Sequence, residues 1–271
     1  MIPPTEQRNP RSSNLGSSTA SEVAALMDDE DRHALDAVIE ARHTIVRAAG
    51  LVADAYGSGH RVAYVATGSS GILAAMDAAE LPPTFGVDAA RYLALVTSTP
   101  SPAAAALRGA SEDDTAVVPT ALDALGFGSG DVVIGIAASG TTPLVVSGVH
   151  HARTIGCGTV GIANNPGTQL LDGCDVGVLL DTGPEVLTGS TRLKAGTAQK
   201  LALNRISTAA MVALGRVTSN LMVELRPGND KLRERGARIV AELTGTTIDE
   251  AREQLVAHDW SVRDAILGTA R

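Results

Sequence analysis

Four short stretches of the 271-residue chain hold the side chains that could do chemistry. Two of them share one form. Thr67-Gly-Ser-Ser-Gly71 and Ala138-Ser-Gly-Thr-Thr-Pro143 each follow an apolar run and precede a helical one. Glycines let the backbone approach a ligand closely, and successive N–H groups at a helix N-terminus make a nest for an anion. Ser69, Ser70, Ser139, Thr141 and Thr142 add hydroxyls. One such turn is commonplace. Two at the carboxyl ends of neighbouring strands converge on the crevice where open α/β sheets bind ligands. Hydroxyls and N–H groups without metal-ligand spacing suit a phosphate monoester. Neither turn ends in the Gly-Lys-Ser/Thr of a Walker loop, and neither fits G-x-G-x-x-G.

The third stretch, Ala79-Glu-Leu-Pro-Pro-Thr-Phe-Gly86, places Glu80 one short helix beyond the first turn. A single Glu is usually a solvated surface charge. This one precedes a double proline that locks the chain, beside one of only two Phe. The fourth, Gly183 to Lys200, packs Glu185, Thr188, Ser190, Thr191, Lys194, Thr197, Gln199 and Lys200 into one segment. Ser190 or Thr191 could cap the helix that follows. Of 22 basic residues 19 are Arg, yet two of the three Lys lie here, which suggests a need for a compact ammonium. The six His show no H-E-x-x-H or similar spacing, so no metal or other cofactor is expected.

The elements that must position these groups read as an α/β fold. Val23, Leu26, Leu35, Val38, Ile39, Ile45, Val46, Leu51 and Val52 recur at helical spacing from Ser21, a candidate N-cap, to about Gly57. Apolar strand runs follow at 61–67, 92–97, 131–138, 159–163 and 176–180, alternating with helical segments. Continuously apolar strands between helices imply a parallel sheet covered on both faces, a three-layer sandwich. A long helix spans roughly 193–214, and Thr247/Glu250 and Ser261/Asp264 look like capping pairs of two short helices. The division expected is a polar arm at 1–20, lying on the surface or on a partner subunit, a phosphate-binding α/β domain at 21–228 and a small helical appendage at 229–271.

Composition narrows the function classes. A net charge of −8 argues against a nucleic-acid groove or an anionic membrane surface, so any bound anion must be held by local geometry. No apolar run approaches the ~20 residues of a membrane span, and the polar start lacks the apolar centre of a signal peptide. Two cysteines make no disulfide framework. A soluble cytoplasmic protein is expected.

The segments RNPRSSNL, ATGSSGILAAMDAAELPPTFG, DVVIGIAASGTTP and GPEVLTGSTRLKAGTAQKLALN, in this order, resemble the N-acetylmuramic acid 6-phosphate etherases, a family of the sugar isomerase (SIS) fold group. The match runs from about residue 6 to 245, and the GPEVLTGSTRLKAGTAQK block is the most specific part. The resemblance implies a SIS-type sandwich and a cytoplasmic homodimer that needs no metal or nucleotide. It also implies cleavage of a lactyl ether. The sugar ring opens, a base removes the C2 proton, D-lactate leaves from C3 and water adds back to give N-acetylglucosamine 6-phosphate.

Carried over by position, Glu80 matches the family's acid/base, although Ala79 and Leu81 replace the usual Ser and Cys. Glu112, in Gly109-Ala-Ser-Glu-Asp-Asp114, is the counterpart of a second acidic residue, with Ser111 in the ungapped position. Ser69, Ser70 and Ser139 match phosphate-loop hydroxyls, and Thr141, Thr142, Glu185, Ser190, Thr191 and Lys194 complete the expected substrate contacts. Ile72 and Thr141 stand where the family usually has Arg. That departure leaves room for a sugar-phosphate-binding regulator without turnover, or for an aldose–ketose isomerase.

Overall fold

A computed structural model of the chain describes residues 2–97, 107, 109–225 and 227–269. The segments expected at 1–20, 21–228 and 229–271 are therefore followed over those residues; Met1 and the last two residues of the tail lie outside them. Three short 3₁₀ turns, Pro4–Glu6, Pro10–Ser12 and Leu15–Ser17, lead into helix α1, Ala20–Glu40. Its cap is Thr19 and not Ser21. Thr19 has extended backbone and forms a reciprocal capping box with Glu22, whereas Ser21 already lies inside the helix. Helix α2, Arg42–Gly57, follows after Ala41 alone.

The chain then alternates: β1 Val62–Ala66, α3 Gly68–Phe85, β2 Tyr92–Val96, α4 Val117–Ala124, β3 Val132–Ile136, α5 Pro143–Thr154, β4 Gly158–Ala163, α6 Gln169–Asp172, β5 Val176–Leu179 and α7 Lys194–Ala213. The five strands pair in parallel in the order β2-β1-β3-β4-β5. Because successive side chains of a strand face opposite ways, alternate residues feed two cores. Tyr64, Ala66, Ile134, Ile136, Ile162 and Val178 pack with α1, α2, α3 and α7. Ala63, Val65, Leu95, Val133 and Ala137 pack with α4 and α5. Both faces of the sheet are therefore dry, which is why its strands read as unbroken apolar runs.

The last three helices, α8 Asp230–Thr244, α9 Ile248–Ala257 and α10 Val262–Thr269, close on a smaller core of their own with Val223 and Leu225. Thr247 and Glu250 form the capping box that their spacing suggests. Arg263 donates to Glu224, between Val223 and Leu225, and ties this unit to the end of α7 through the Gly215 carbonyl. Among the described residues no helix is long and apolar enough to cross a membrane.

Candidate active site

Strand order decides where a ligand can sit. The direction of winding reverses between β1 and β3, so their carboxyl ends open a crevice at the topological switch point. Ala66 pairs with Ile136; the first serine turn begins one residue after Ala66 and the second two residues after Ile136. Adjacent strands lie about 4.8 Å apart, so both turns emerge side by side at one edge.

The first turn opens α3. Gly71 N–H makes the first helical bond back to the Thr67 carbonyl at 2.9 Å, leaving the amides of Ser69 and Ser70 in the first turn that faces the crevice. Ser69 is exposed and Ser70 buried. The Ser70 hydroxyl donates to Gln199 Oε1 at 2.8 Å, and Gln199 Nε2 donates to Asn164 Oδ1 at 2.9 Å. Asn164 in turn donates to the Leu180 carbonyl. A buried chain of amides thus ties the ends of β1, β4 and β5 to α7. Ser70 braces the turn from within, and Ser69 is left exposed.

The second turn opens α5, with Pro143 in its first turn and Thr142 as N-cap. The Ser139 hydroxyl lies 3.2 Å from Thr142 Oγ1 and accepts the Thr141 N–H at 3.2 Å. Gly140 adopts φ +69°, and a side chain there would collide with Thr168. Asn165 donates to the carbonyls of Ala138 and Ser139. The Leu144 N–H donates to the Glu112 carbonyl at 2.9 Å, which pins that residue beside the turn with its side chain exposed. Thr168 and Thr182, nearby at the same edge, have buried hydroxyls without a hydrogen-bond partner.

Two expectations need correction, those for Glu185 and Lys194; Glu80, whose subunit the sequence leaves open, lies away from the serine turns of its own chain. It follows Gly68 by twelve residues on the continuous helix α3, which carries it about 18 Å along the axis, and its side chain is exposed. Glu185 does not face a substrate. It is fully buried, and its two oxygens accept the N–H groups of Lys194 and Ala195 at 3.0 and 2.9 Å. It therefore caps α7, the task expected of Ser190 or Thr191, both of which stay half-buried in the approach loop. Burial pushes its carboxyl up, against the pull of those two amides. Lys194 offers no free ammonium either. It is 2% exposed, and its Nζ lies 2.5 Å from Glu30 Oε2 on α1. The clustered lysine is required, but as the partner of a buried carboxylate.

Sequence reasoning missed Thr5, Asn9, Glu30, Asn164, Asn165 and Thr168. A signal existed for the asparagines, since an Asn-Asn pair directly after an apolar strand is a polar pair at a carboxyl edge. The contacts of Thr5 and Asn9 follow no local spacing, because their partners are 160 or more residues away.

Residues 29–164 match the SIS domain family. Over 263 residues the chain is 44% identical to the N-acetylmuramic acid 6-phosphate etherase of Geobacillus thermodenitrificans, covering 97% of this chain and 89% of that one. The chain belongs to the N-acetylmuramic acid 6-phosphate etherase family. The etherase of Mycolicibacterium smegmatis is likewise 44% identical, with 97% and 88% covered. Among solved structures, a phosphoheptose isomerase from Francisella tularensis superposes with a TM-score of 0.55 at 17% identity, covering 72% of this chain and 99% of that one. That likeness carries the fold alone. The SIS-type sandwich expected of an etherase is what the sheet order and its two helical layers form.

Proposed function

We propose that this protein is a carbon–oxygen lyase that cleaves the D-lactyl ether of N-acetylmuramic acid 6-phosphate, giving N-acetylglucosamine 6-phosphate and D-lactate. The observation that carries this reading is the pair of serine turns on adjacent strands with Glu112 pinned beside one of them. Ser69, Ser139, Thr141 and Thr142, with the first-turn amides of α3 and α5, hold the phosphate. The phosphate is remote from the bond that breaks, so its binding energy serves to orient the opened sugar.

The C2–H bond is acidified by the neighbouring aldehyde. A carboxylate takes that proton, the electron pair moves into the C2–C3 bond, and the C3–O bond breaks as a second, protonated carboxyl group gives its proton to the departing lactate oxygen. Water then adds its oxygen to C3 and gives a proton to that second carboxylate, while the first returns its proton to C2, so each carboxylate acts both as acid and as base. Glu112 is one such group. Glu80 is the other, supplied by a second copy of the chain. Ile72, Met76 and Glu80 stand four residues apart on one stripe of α3, with Ile72 54% and Met76 44% exposed. An apolar stripe running up to a carboxylate suits a surface covered by another protomer. A homodimer whose sites each draw on both chains follows. The two free cysteines suit the reducing cytoplasm.

The test has two steps. Wild-type protein incubated with N-acetylmuramic acid 6-phosphate should release D-lactate. Variants Glu80→Ala and Ser139→Ala, each inactive alone, should regain activity when unfolded and refolded together, since a mixed dimer holds one intact site. Failure to regain it, with both variants folded, would place Glu80 and Ser139 in the same chain's site or remove Glu80 from the chemistry.

A further inference from the structure

The N-terminal arm is polar, yet part of it is buried. Thr5 is 1% and Asn9 7% exposed. Burying such side chains without partners is unfavourable, so their partners reveal what the arm does. The Thr5 N–H donates to Asn165 Oδ1 at 3.1 Å, and Asn165 Nδ2 donates to Thr5 Oγ1 at 2.9 Å. The same Nδ2 reaches the carbonyls of Ala138 and Ser139, each at 3.4 Å. Further along, Asn9 Nδ2 donates to the Pro184 carbonyl at 3.3 Å. Arg11 lies 2.9 Å from one oxygen of Glu30, whose other oxygen takes Lys194. One short stretch therefore laces the second serine turn to the loop that enters α7.

We propose that Thr5 and Asn165 are positioning residues of the active site, through which the arm holds the second serine turn in its phosphate-accepting form. The physical reason lies in the carbonyls. A turn can bind a dianion only while its N–H groups, and not its carbonyl oxygens, face the ligand. The Ala138 and Ser139 carbonyls are engaged by Asn165, so they cannot swing toward a bound phosphate and repel it. Thr5 grips both ends of the Asn165 amide and fixes which end donates to the turn. This inference rests on the reading of the serine turns as the phosphate site.

Thr5→Val keeps the shape of the side chain and removes its hydroxyl, while Thr5→Ser keeps the hydroxyl. For Thr5→Val, KM for N-acetylmuramic acid 6-phosphate should rise about fivefold, the size expected for one neutral hydrogen bond. Its kcat should stay within about twofold, and Thr5→Ser should restore KM. Calorimetric titration with inorganic phosphate should show the same weakening, without turnover. Unchanged KM and unchanged phosphate affinity in Thr5→Val would overturn the proposal. So would a fall in kcat and melting temperature with KM unmoved, which would make the arm a stability element only. If wild-type protein binds phosphate but releases no lactate, the etherase reading fails, and the phosphate titration still decides the role of the arm.

Discussion

Gly68, just before Ser69 at the start of α3, and Gly140, just after Ser139 and three residues ahead of α5, are the positive-φ glycines of the two turns, with φ of +53° and +69°. Their surroundings differ. A methyl group added at Gly68 would meet nothing within 4 Å, whereas one at Gly140 would lie 2.3 Å from Thr168 Oγ1. The second turn is enclosed by its own chain: Asn165 and the arm on one side, Thr168 beneath, Glu112 against the start of α5. The first turn is braced from within by Ser70 and Gln199 but opens outward along α3, where Ile72, Met76 and Glu80 are exposed. On the dimeric reading proposed above, the contrast is a division of labour: one chain completes the phosphate side of a site, and the open side both receives and supplies what a second chain adds.

The sharpest way to break this comparison is to remove the two carboxylates one at a time. Glu80→Gln and Glu112→Gln should each lower kcat for D-lactate release by about 10²–10⁴, the usual worth of a general acid–base group. Both side chains are exposed, so neither change should move the melting temperature appreciably. A Glu80→Gln enzyme that retains more than a tenth of the wild-type kcat would leave the open side without a chemical role.

A second variant probes the closed side. Glu30 and Lys194 are each 2% exposed, and Arg11 joins them from the arm. Glu30→Gln leaves a buried ammonium without its counter-charge, which should cost about 3–5 kcal/mol in urea unfolding. The pH dependence has a definite sign. Burial opposes the charge on Glu30, but Lys194, Asn9 and Arg11 outweigh it and hold the carboxyl below its ordinary value of about 4.5. A carboxylate held low adds stability that is complete above that ordinary value and disappears as pH falls through the lowered one. Wild-type stability should thus decline on acidification below about pH 4.5, and the Glu30→Gln curve should be flatter over that range.

How much of this was legible beforehand follows from range. The five strands and the two turns are local patterns: an apolar run, then Gly and Ser, then a helical period. They stand within one or two residues of expectation, as does α7. The capping box at Thr247 is equally local. Glu185 and Lys194 were visible as an unusual density of polar residues, but their tasks were not. Glu185 caps a helix from nine residues upstream, and Lys194 answers a glutamate 164 residues away. Neither spacing belongs to a local motif. The polar composition of the arm suggests a place on the surface or on a partner subunit; only the fold reveals that Asn165 pairs with Thr5. Glu80 is a different case: its sequence context marks an acid/base candidate without saying which chain's turns it serves, and helix α3 carries it about 18 Å from Gly68 over twelve residues.

The two glycines themselves offer the gentlest test. Gly140→Ala must hold an L-residue at positive φ and push Thr168 aside, two costs that together amount to about 2–4 kcal/mol. Gly68→Ala bears only the first, about 1–2 kcal/mol. Urea midpoints at unchanged m should therefore rank wild type, Gly68→Ala, Gly140→Ala. The pairing with Thr168 can be separated from backbone strain. Thr168→Ala removes the hydroxyl and the methyl group beside position 140, so Gly140→Ala made in that background should cost less than in wild type, whereas Gly68→Ala should cost the same in both. If Gly68→Ala proves as harmful as Gly140→Ala, the first turn is as enclosed as the second. The division between a side closed by one chain and a side left for another would then be lost.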